Sequence, residues 1–151
     1  MVEPKLRSAR ESDLAFLLEG LESNRVVENR RPEDVGATRA DREGLKEGIA
    51  GKNIRIVEVD GEAVGFLYFR PDFRVMYLEK GRVFWVDLVY VKQGHRGKGL
   101  GRLLYEDAAR MAREGGFDRM VIDIFAANAN SRKFHDRLGF KAVYTIYERE
   151  L

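Results

Sequence analysis

The chain contains no cysteine, which excludes a disulfide framework, a thiolate metal site and a cysteine nucleophile together. Histidine occurs only at His95 and His135, too few for a multi-histidine metal centre, so no metal is expected. An excess of charge is also missing: 27 basic against 25 acidic residues leave a net charge of +2. So nearly balanced a chain has no strong field to draw it to nucleic acid or a membrane surface, and neither partner is expected. No apolar run approaches the roughly 20 residues of a membrane-spanning helix, and no basic-apolar-small leader pattern opens the sequence. A cytoplasmic location is the default expectation.

What is present is typical of a globular protein. Apolar and charged fractions of 44% and 34% give enough core-forming residues and a heavily charged surface, and 151 residues suit one domain spanning 1–151. Lys5 to Ala9 reads as a short strand. Ser12 or Asp13 is placed to cap a helix carrying Leu14, Phe16, Leu17, Leu18 and Leu21. Asn24 to Gly36 is polar and broken at Pro32, and Thr38 to Ala50 reads as a mostly solvated helix. Asn53–Val59 and Ala63–Phe69 alternate about Asp60-Gly61, a hairpin signal, with Arg70-Pro71-Asp72 breaking the second strand. A loop or hairpin extension with Phe73, Val75, Met76, Tyr77 and Leu78 follows. Val83–Val91 is the most apolar strand, Gly99–Glu114 a helix stopped by Gly115-Gly116, Met120–Ala126 a strand and Asn130–Leu138 a short helix. Phe140–Glu150 is expected as one or two closing strands. A hairpin-built sheet leading into β-α-β units predicts a mixed α/β, three-layer domain.

The most informative stretch is Val86 to Leu104, where a strand passes through a basic, glycine-rich turn into a helix. That arrangement aims several backbone N–H groups at one spot and binds phosphate. The spacing is not that of a dinucleotide fingerprint, because Gly97, Gly99 and Gly101 alternate and Arg102 follows. Nor is it a P-loop, because Lys92 stands where the first glycine belongs and Gly99 follows Lys98. About thirty residues on comes a second pattern, Asn128-x-x-Ser131-x-x-Phe134-His135-x-x-Leu138-Gly139-Phe140.

Arg96-x-x-Gly99-x-Gly101 directly after a strand resembles the pyrophosphate motif of the GNAT family of acetyl-CoA-dependent N-acetyltransferases, and the second pattern resembles that family's other signature. The resemblance implies a central, mostly antiparallel twisted sheet flanked by helices, and acetyl-CoA as acyl donor. It assigns the coenzyme A pyrophosphate to Arg96, Gly97, Lys98, Gly99, Leu100, Gly101 and Arg102. It assigns the pantetheine arm to the backbone of Val89, Tyr90 and Val91 and to Asn128, Ser131 and Phe134. The acceptor would be a primary amine on a small molecule or a protein, taken up near Arg25–Asp34 and Pro71–Tyr77. A coenzyme A-binding module without transferase activity is the alternative, and the sequence admits a homodimer without specifying one.

The chain departs from the family pattern at His135, where a tyrosine general acid usually stands. An unperturbed histidine is the charged acid only about a quarter of the time at pH 7, and a thiol of pKa near 8.5 leaves tolerably as thiolate. His135 is therefore read either as a facultative acid or as a helix histidine without a chemical role. The incoming ammonium must lose a proton to a base. Asp87 and Asp123 each lie in an otherwise apolar strand, where a carboxylate is costly unless it faces a solvated cleft, and related acetyltransferases carry acids at both places. Asp87 ranks slightly first, with Trp85 on its strand parity as a wall for the acceptor.

Overall fold

The computed structural model describes residues 2–71 and 81–151. Strand β1 (Lys5–Ser8) leads through a 3-10 turn into helix α1 (Leu14–Val27); a second turn at Pro32–Asp34 precedes α2 (Arg39–Ala50). Then come β2 (Ile54–Val59), β3 (Glu62–Pro71), β4 (Val83–Val91), α3 (Leu100–Glu114), β5 (Arg119–Ile122) and α4 (Ala129–Arg137). The strands lie in chain order, antiparallel from β1 to β4, and β5 joins β4 in parallel after the α3 crossover. The mixed α/β architecture expected from the sequence is the one observed.

Strand periodicity divides the core into two faces. On one, Phe66 and Tyr68 of β3 join Ile54, Ile56 and Tyr90 beneath Leu17, Leu18 and Leu45 of α1 and α2. On the other, Leu67 and Phe69 join Val57, Phe84 and Val86 beneath Leu100, Leu104, Tyr105 and Ala108 of α3, with Phe134 and Leu138 of α4 alongside. Three layers result. Helix α1 sits unusually close to the sheet because it crosses at Gly20, where a Cβ would stand 2.4 Å from the Phe66 ring and 2.8 Å from Tyr90. Glycine costs a helix interior about 1 kcal/mol relative to alanine, but no larger residue fits this approach without displacing the helix.

Several boundaries differ from the sequence reading. Asp13 does not cap α1; its carboxylate accepts the Arg10 N–H at 2.7 Å and pairs with Arg7 at 2.7 and 2.9 Å. Strand β3 runs through Pro71 rather than breaking before it. Phe69 N–H points to the β2 side, donating to Asn53 O at 3.0 Å, so Pro71 two residues on turns its missing N–H to the side where β2 has already ended. Strand β5 stops at Ile122, four residues short of the expected end, so Asp123 lies outside it. Residues 140–151 form no strand: after Phe140 the segment is exposed. Its β-prone side chains, Val143, Ile146 and Tyr147 among them, lack a neighbouring ladder, and β-propensity without a partner does not make a strand. The predicted loop with Phe73, Val75, Met76, Tyr77 and Leu78 falls outside the described residues.

His135 belongs to the core. It is 2% exposed and ringed edge-on by Tyr105, Phe134 and Phe140 at 5.2 to 5.4 Å. Nδ1 lies 2.7 Å from the Ser131 carbonyl, which can only accept, so Nδ1 carries the proton and Nε2 accepts from the Tyr105 hydroxyl at 2.6 Å. Burial holds the imidazole below its usual pKa and the Tyr105 phenol above its own. A histidine whose folded-state pKa is depressed stabilises the fold above its unfolded pKa of about 6.5 and loses that contribution as pH falls below it. The melting temperature is therefore expected to drop between pH 7 and pH 5. In His135→Phe it starts lower but falls less over the same interval, as thermal denaturation at matched ionic strength would reveal; an unchanged pH dependence in that variant would count against this account.

Candidate active site

The site is built where β4 outlasts its parallel neighbour. The last β4–β5 pair is Val86 with Ile122. One residue on, the register with β3 jumps from Val86–Phe69 to Leu88–Tyr68 and leaves Asp87 as the extra residue of a β-bulge. The bulge resets the strand's phase. Phe84 and Val86 face α3 before it, and Val89 and Val91 after it, while Leu88 and Tyr90 pack on the α1 side. Beyond the bulge Lys92 N–H donates to Val64 O at 2.8 Å. By alternation, residues 88, 90 and 92 turn their peptide groups to β3, whereas Val89 and Val91 turn theirs into the gap left by β5.

Both carbonyls on that open edge are answered from within the chain. Val89 O accepts from Asn24 Nδ2 at 2.9 Å, and Val91 O accepts from Arg96 Nε at 2.7 Å. The Val89 and Val91 N–H groups face the gap as donors. Tyr90, assigned to the pantetheine arm by the resemblance, turns its peptide groups to β3 and its ring is buried against Phe66 and Phe16 at 5.8 and 5.9 Å, so it supports the edge without facing the gap.

The glycine turn continues this edge. Gly97 and Gly99 have φ of 74° and 82°, and nothing lies within 4 Å of where their side chains would project. Positive φ is inexpensive only for glycine, and the bare backbone leaves room for a ligand to approach. Gly99 caps α3 without a side-chain bond, so the first-turn N–H groups at Leu100, Gly101 and Arg102 have no capping acceptor among the described residues. Lys98 and Arg102 are exposed around them, as is Arg96. Free amides, the positive end of the helix dipole and exposed cations together fit a pyrophosphate.

The second pattern serves to dock α4. Asn128 Oδ1 accepts the Ser131 N–H at 3.1 Å and caps the helix. Phe134 reaches α3 at Gly101, whose Cβ would meet the Phe134 ring at 2.9 Å, and its ring lies 6.0 Å from Tyr105. Gly101 is thus required for helix packing as well as for its amide. His135 belongs to this packing, with both ring nitrogens engaged.

The two aspartates come within each other's field. Asp87 is exposed on the bulge with Arg70 at 3.6 Å. Asp123 follows directly after β5 with its residue exposed; the protein packed around its carboxyl and the Asp87 charge push its pKa up, while a backbone hydrogen bond and Arg30 oppose them. Phe125, two residues on from Asp123, lines an open pocket of about 290 Å³ together with Arg25, Arg30, Glu33, Asp34 and Thr38. The Arg30 guanidinium lies 4.8 Å over the Phe125 ring and pairs with Glu28 at 2.7 Å, while Arg25 grips Asp41 through two bonds of 2.9 Å. The expected acceptor segment Arg25–Asp34 thus does line a pocket; its other half, from residue 72 on, lies outside the described residues. Among the described residues no group of three or more His, Asp or Glu side chains is arranged to hold a metal, and no helix is long and apolar enough to cross a membrane.

Asn24 and Phe125 were not singled out by sequence reasoning. Phe125 carries no motif. Asn24 had one signal: it follows Gly20 by four residues, on the same helix face.

Known proteins give an independent reading. Residues 21–140 match the model of the acetyltransferase (GNAT) family. Among curated proteins, the streptothricin acetyltransferase of Streptomyces lavendulae is 33% identical over 84 residues, covering 56% of this chain and 41% of that one. The L-methionine sulfoximine/L-methionine sulfone acetyltransferase of Pseudomonas aeruginosa is 38% identical over 81 residues, covering 54% and 45%. The matched segment is thus less than half the length of either relative. Among solved structures, the aminoglycoside N-acetyltransferase AAC(6′)-Iy, in complex with the bisubstrate analog CoA-S-monomethyl-acetylneamine, superposes with a TM-score of 0.76 at 20% identity, over 99% of both chains. The family suggested by the glycine turn and the Asn128–Phe140 signature is the one matched over most of the chain: this protein belongs to the acetyltransferase (GNAT) family.

Proposed function

We propose that the protein is an acetyl-CoA-dependent N-acetyltransferase that acetylates a primary amine by direct attack. The observation that carries this is the continuity of an open strand edge, Val89 to Val91, with an anion-binding turn at the start of α3. An extended, amide-rich arm adds to such an edge as a further strand would, while its pyrophosphate occupies the turn. The Val89 and Val91 N–H groups then donate to the arm and to the thioester carbonyl, where negative charge develops on attack.

In this reading the amine nitrogen bonds to the acetyl carbon, the carbon–sulfur bond breaks, and coenzyme A leaves as thiolate. With no cysteine in the chain, no acyl-thioester enzyme intermediate forms. The amine's proton passes to Asp123 or Asp87, directly or through water. Asp123 is the better placed on physical grounds: its raised pKa makes it a stronger proton acceptor than an ordinary carboxylate, whereas Asp87 is paired with Arg70. This inverts the ranking drawn from the sequence. His135, buried and doubly hydrogen-bonded, is assigned a packing role, and the thiolate leaves without an acid.

The pocket beside Phe125 mixes cationic and anionic side chains, which suits a small polar amine. The substrates named for the relatives, streptothricin and methionine sulfoximine, are the first acceptors to try, with neamine and ornithine. Free-thiol release from acetyl-CoA over such a panel is expected to rise above the amine-free rate for at least one amine. Saturable coenzyme A binding without thiol release against any of them would instead favour a binding module.

For an amine that is acetylated, Asp123→Asn is expected to lower kcat roughly a hundredfold, the scale of a lost general base, and to remove the fall in rate as pH drops through the Asp123 pKa. Asp87→Asn is expected to cost less and to leave that acidic limb in place. The reverse pattern in the two pH–rate profiles would make Asp87 the base.

A further inference from the structure

One contact is unexplained by core packing or by the family signatures. Asn24 opens the last turn of α1, and its side chain crosses to the sheet to donate to the Val89 carbonyl, 65 residues away in sequence, at 2.9 Å. The Val89 carbonyl and the Val89 N–H both face the gap beside β5, the edge on which an acyl thioester would lie, while the Tyr90 N–H that shares the carbonyl's peptide plane turns to β3. We propose that Asn24 is a positioning residue for acyl transfer, which holds the open edge of β4 so that the Val89 and Val91 N–H groups meet the acetyl carbonyl oxygen. This rests on the acetyl-transfer reading above and adds to it a residue on a different element.

The physical case has three parts. An unanswered carbonyl at Val89 would point its negative end into the same gap as the thioester oxygen, and buried carbonyls without a donor are rare. A donor there satisfies it and fixes the tilt of the Val89–Tyr90 peptide plane, which lies between the two planes that carry the Val89 and Val91 N–H groups, so the aim of both depends on it. Second, the reach is built into α1. Gly20, one turn earlier on the same face, lets the helix approach until a Cβ would be 2.4 Å from Phe66; a side chain there would lift Asn24 away from β4. Third, the far end of α1 is clamped. Arg25, the next residue, holds Asp41 at the start of α2 by two bonds of 2.9 Å and reaches Gly36 O at 3.3 Å. Asp41 is itself fixed by the Thr38 N–H at 2.8 Å, and returns a bond to Thr38 Oγ1 at 3.1 Å. The helix is thus anchored on both sides of Asn24, a stiffness suited to holding a strand edge.

The test compares the affinities of acetyl-CoA and coenzyme A by calorimetry, since the two differ only in the acyl group. In the wild-type protein acetyl-CoA is expected to bind roughly three- to tenfold more tightly, the worth of one hydrogen bond to the acyl carbonyl. In Asn24→Ala, and in the isosteric Asn24→Asp that lacks the amide donor, that preference is expected to shrink to about one while coenzyme A affinity stays within about twofold. Asn24→Gln, which keeps a donor, is expected to recover part of it. If both Asn24→Ala and Asn24→Asp retain the full preference, or lose coenzyme A affinity to the same degree as acetyl-CoA affinity, the positioning role is wrong. A wild-type protein that binds neither ligand would overturn the acetyl-transfer reading itself, and with it this inference.

Discussion

The structure depends on the parting of β4 from β5 after the Val86–Ile122 pair. A parallel pair in the middle of a three-layer domain ordinarily continues, because every residue added satisfies further backbone groups. Here the bulge at Asp87 twists β4 and resets its phase, and β5 turns off immediately afterwards. The result is a short, half-buried stretch of strand edge whose peptide groups are unpaired by any strand among the described residues. Leaving such groups buried and unsatisfied costs about 1 to 3 kcal/mol each. The chain removes part of that cost by bringing Asn24 and Arg96 to the two carbonyls. The two N–H groups are left for a ligand that can behave as a strand.

The rest of the site follows from that edge. The glycine turn follows β4 and leads into the start of α3, so the strand edge and the anion-binding amides belong to one continuous stretch of chain. Gly20 and Gly101 set the depth of the two helical layers against each other and the sheet, one by admitting Phe66 and Tyr90 and the other by admitting Phe134. The two aspartates lie where the strands diverge, Asp87 because it is the bulge and Asp123 because it is the first residue β5 releases. Their mutual repulsion is part of what raises the Asp123 pKa.

Much of this was legible in the sequence, and what was legible shares a physical origin. Val83–Val91 was bounded correctly because an apolar run between Gly81 and Gly94 has little freedom, and α2 and α3 because their starts carry a Thr38 cap and Gly99. The glycine turn was legible because positive φ restricts residue type. The parting of the strands was not: a bulge inserts a residue without altering composition, and Met120 to Ala126 reads as a strand whether or not a neighbour is within reach. The closing strands failed for the same reason, since Val143 to Tyr147 have the propensity but no ladder. His135 was ambiguous because its role is decided by Tyr105 and Ser131, and only the former is remote enough to be invisible to local pattern. Asn24 was missed because a lone asparagine near a helix end looks like solvated surface until the strand beneath it is known.

The most direct measurement of the central claim is amide mapping by two-dimensional NMR on ¹⁵N-labelled protein titrated with acetyl-CoA. The account predicts that the largest shifts and the strongest gains in exchange protection fall on Val89, Val91 and the amides from Gly97 to Arg102, with β1 and β2 little affected. Shifts confined to other surfaces, or an unperturbed Val89–Val91 edge in a protein that nonetheless binds acetyl-CoA, would contradict it.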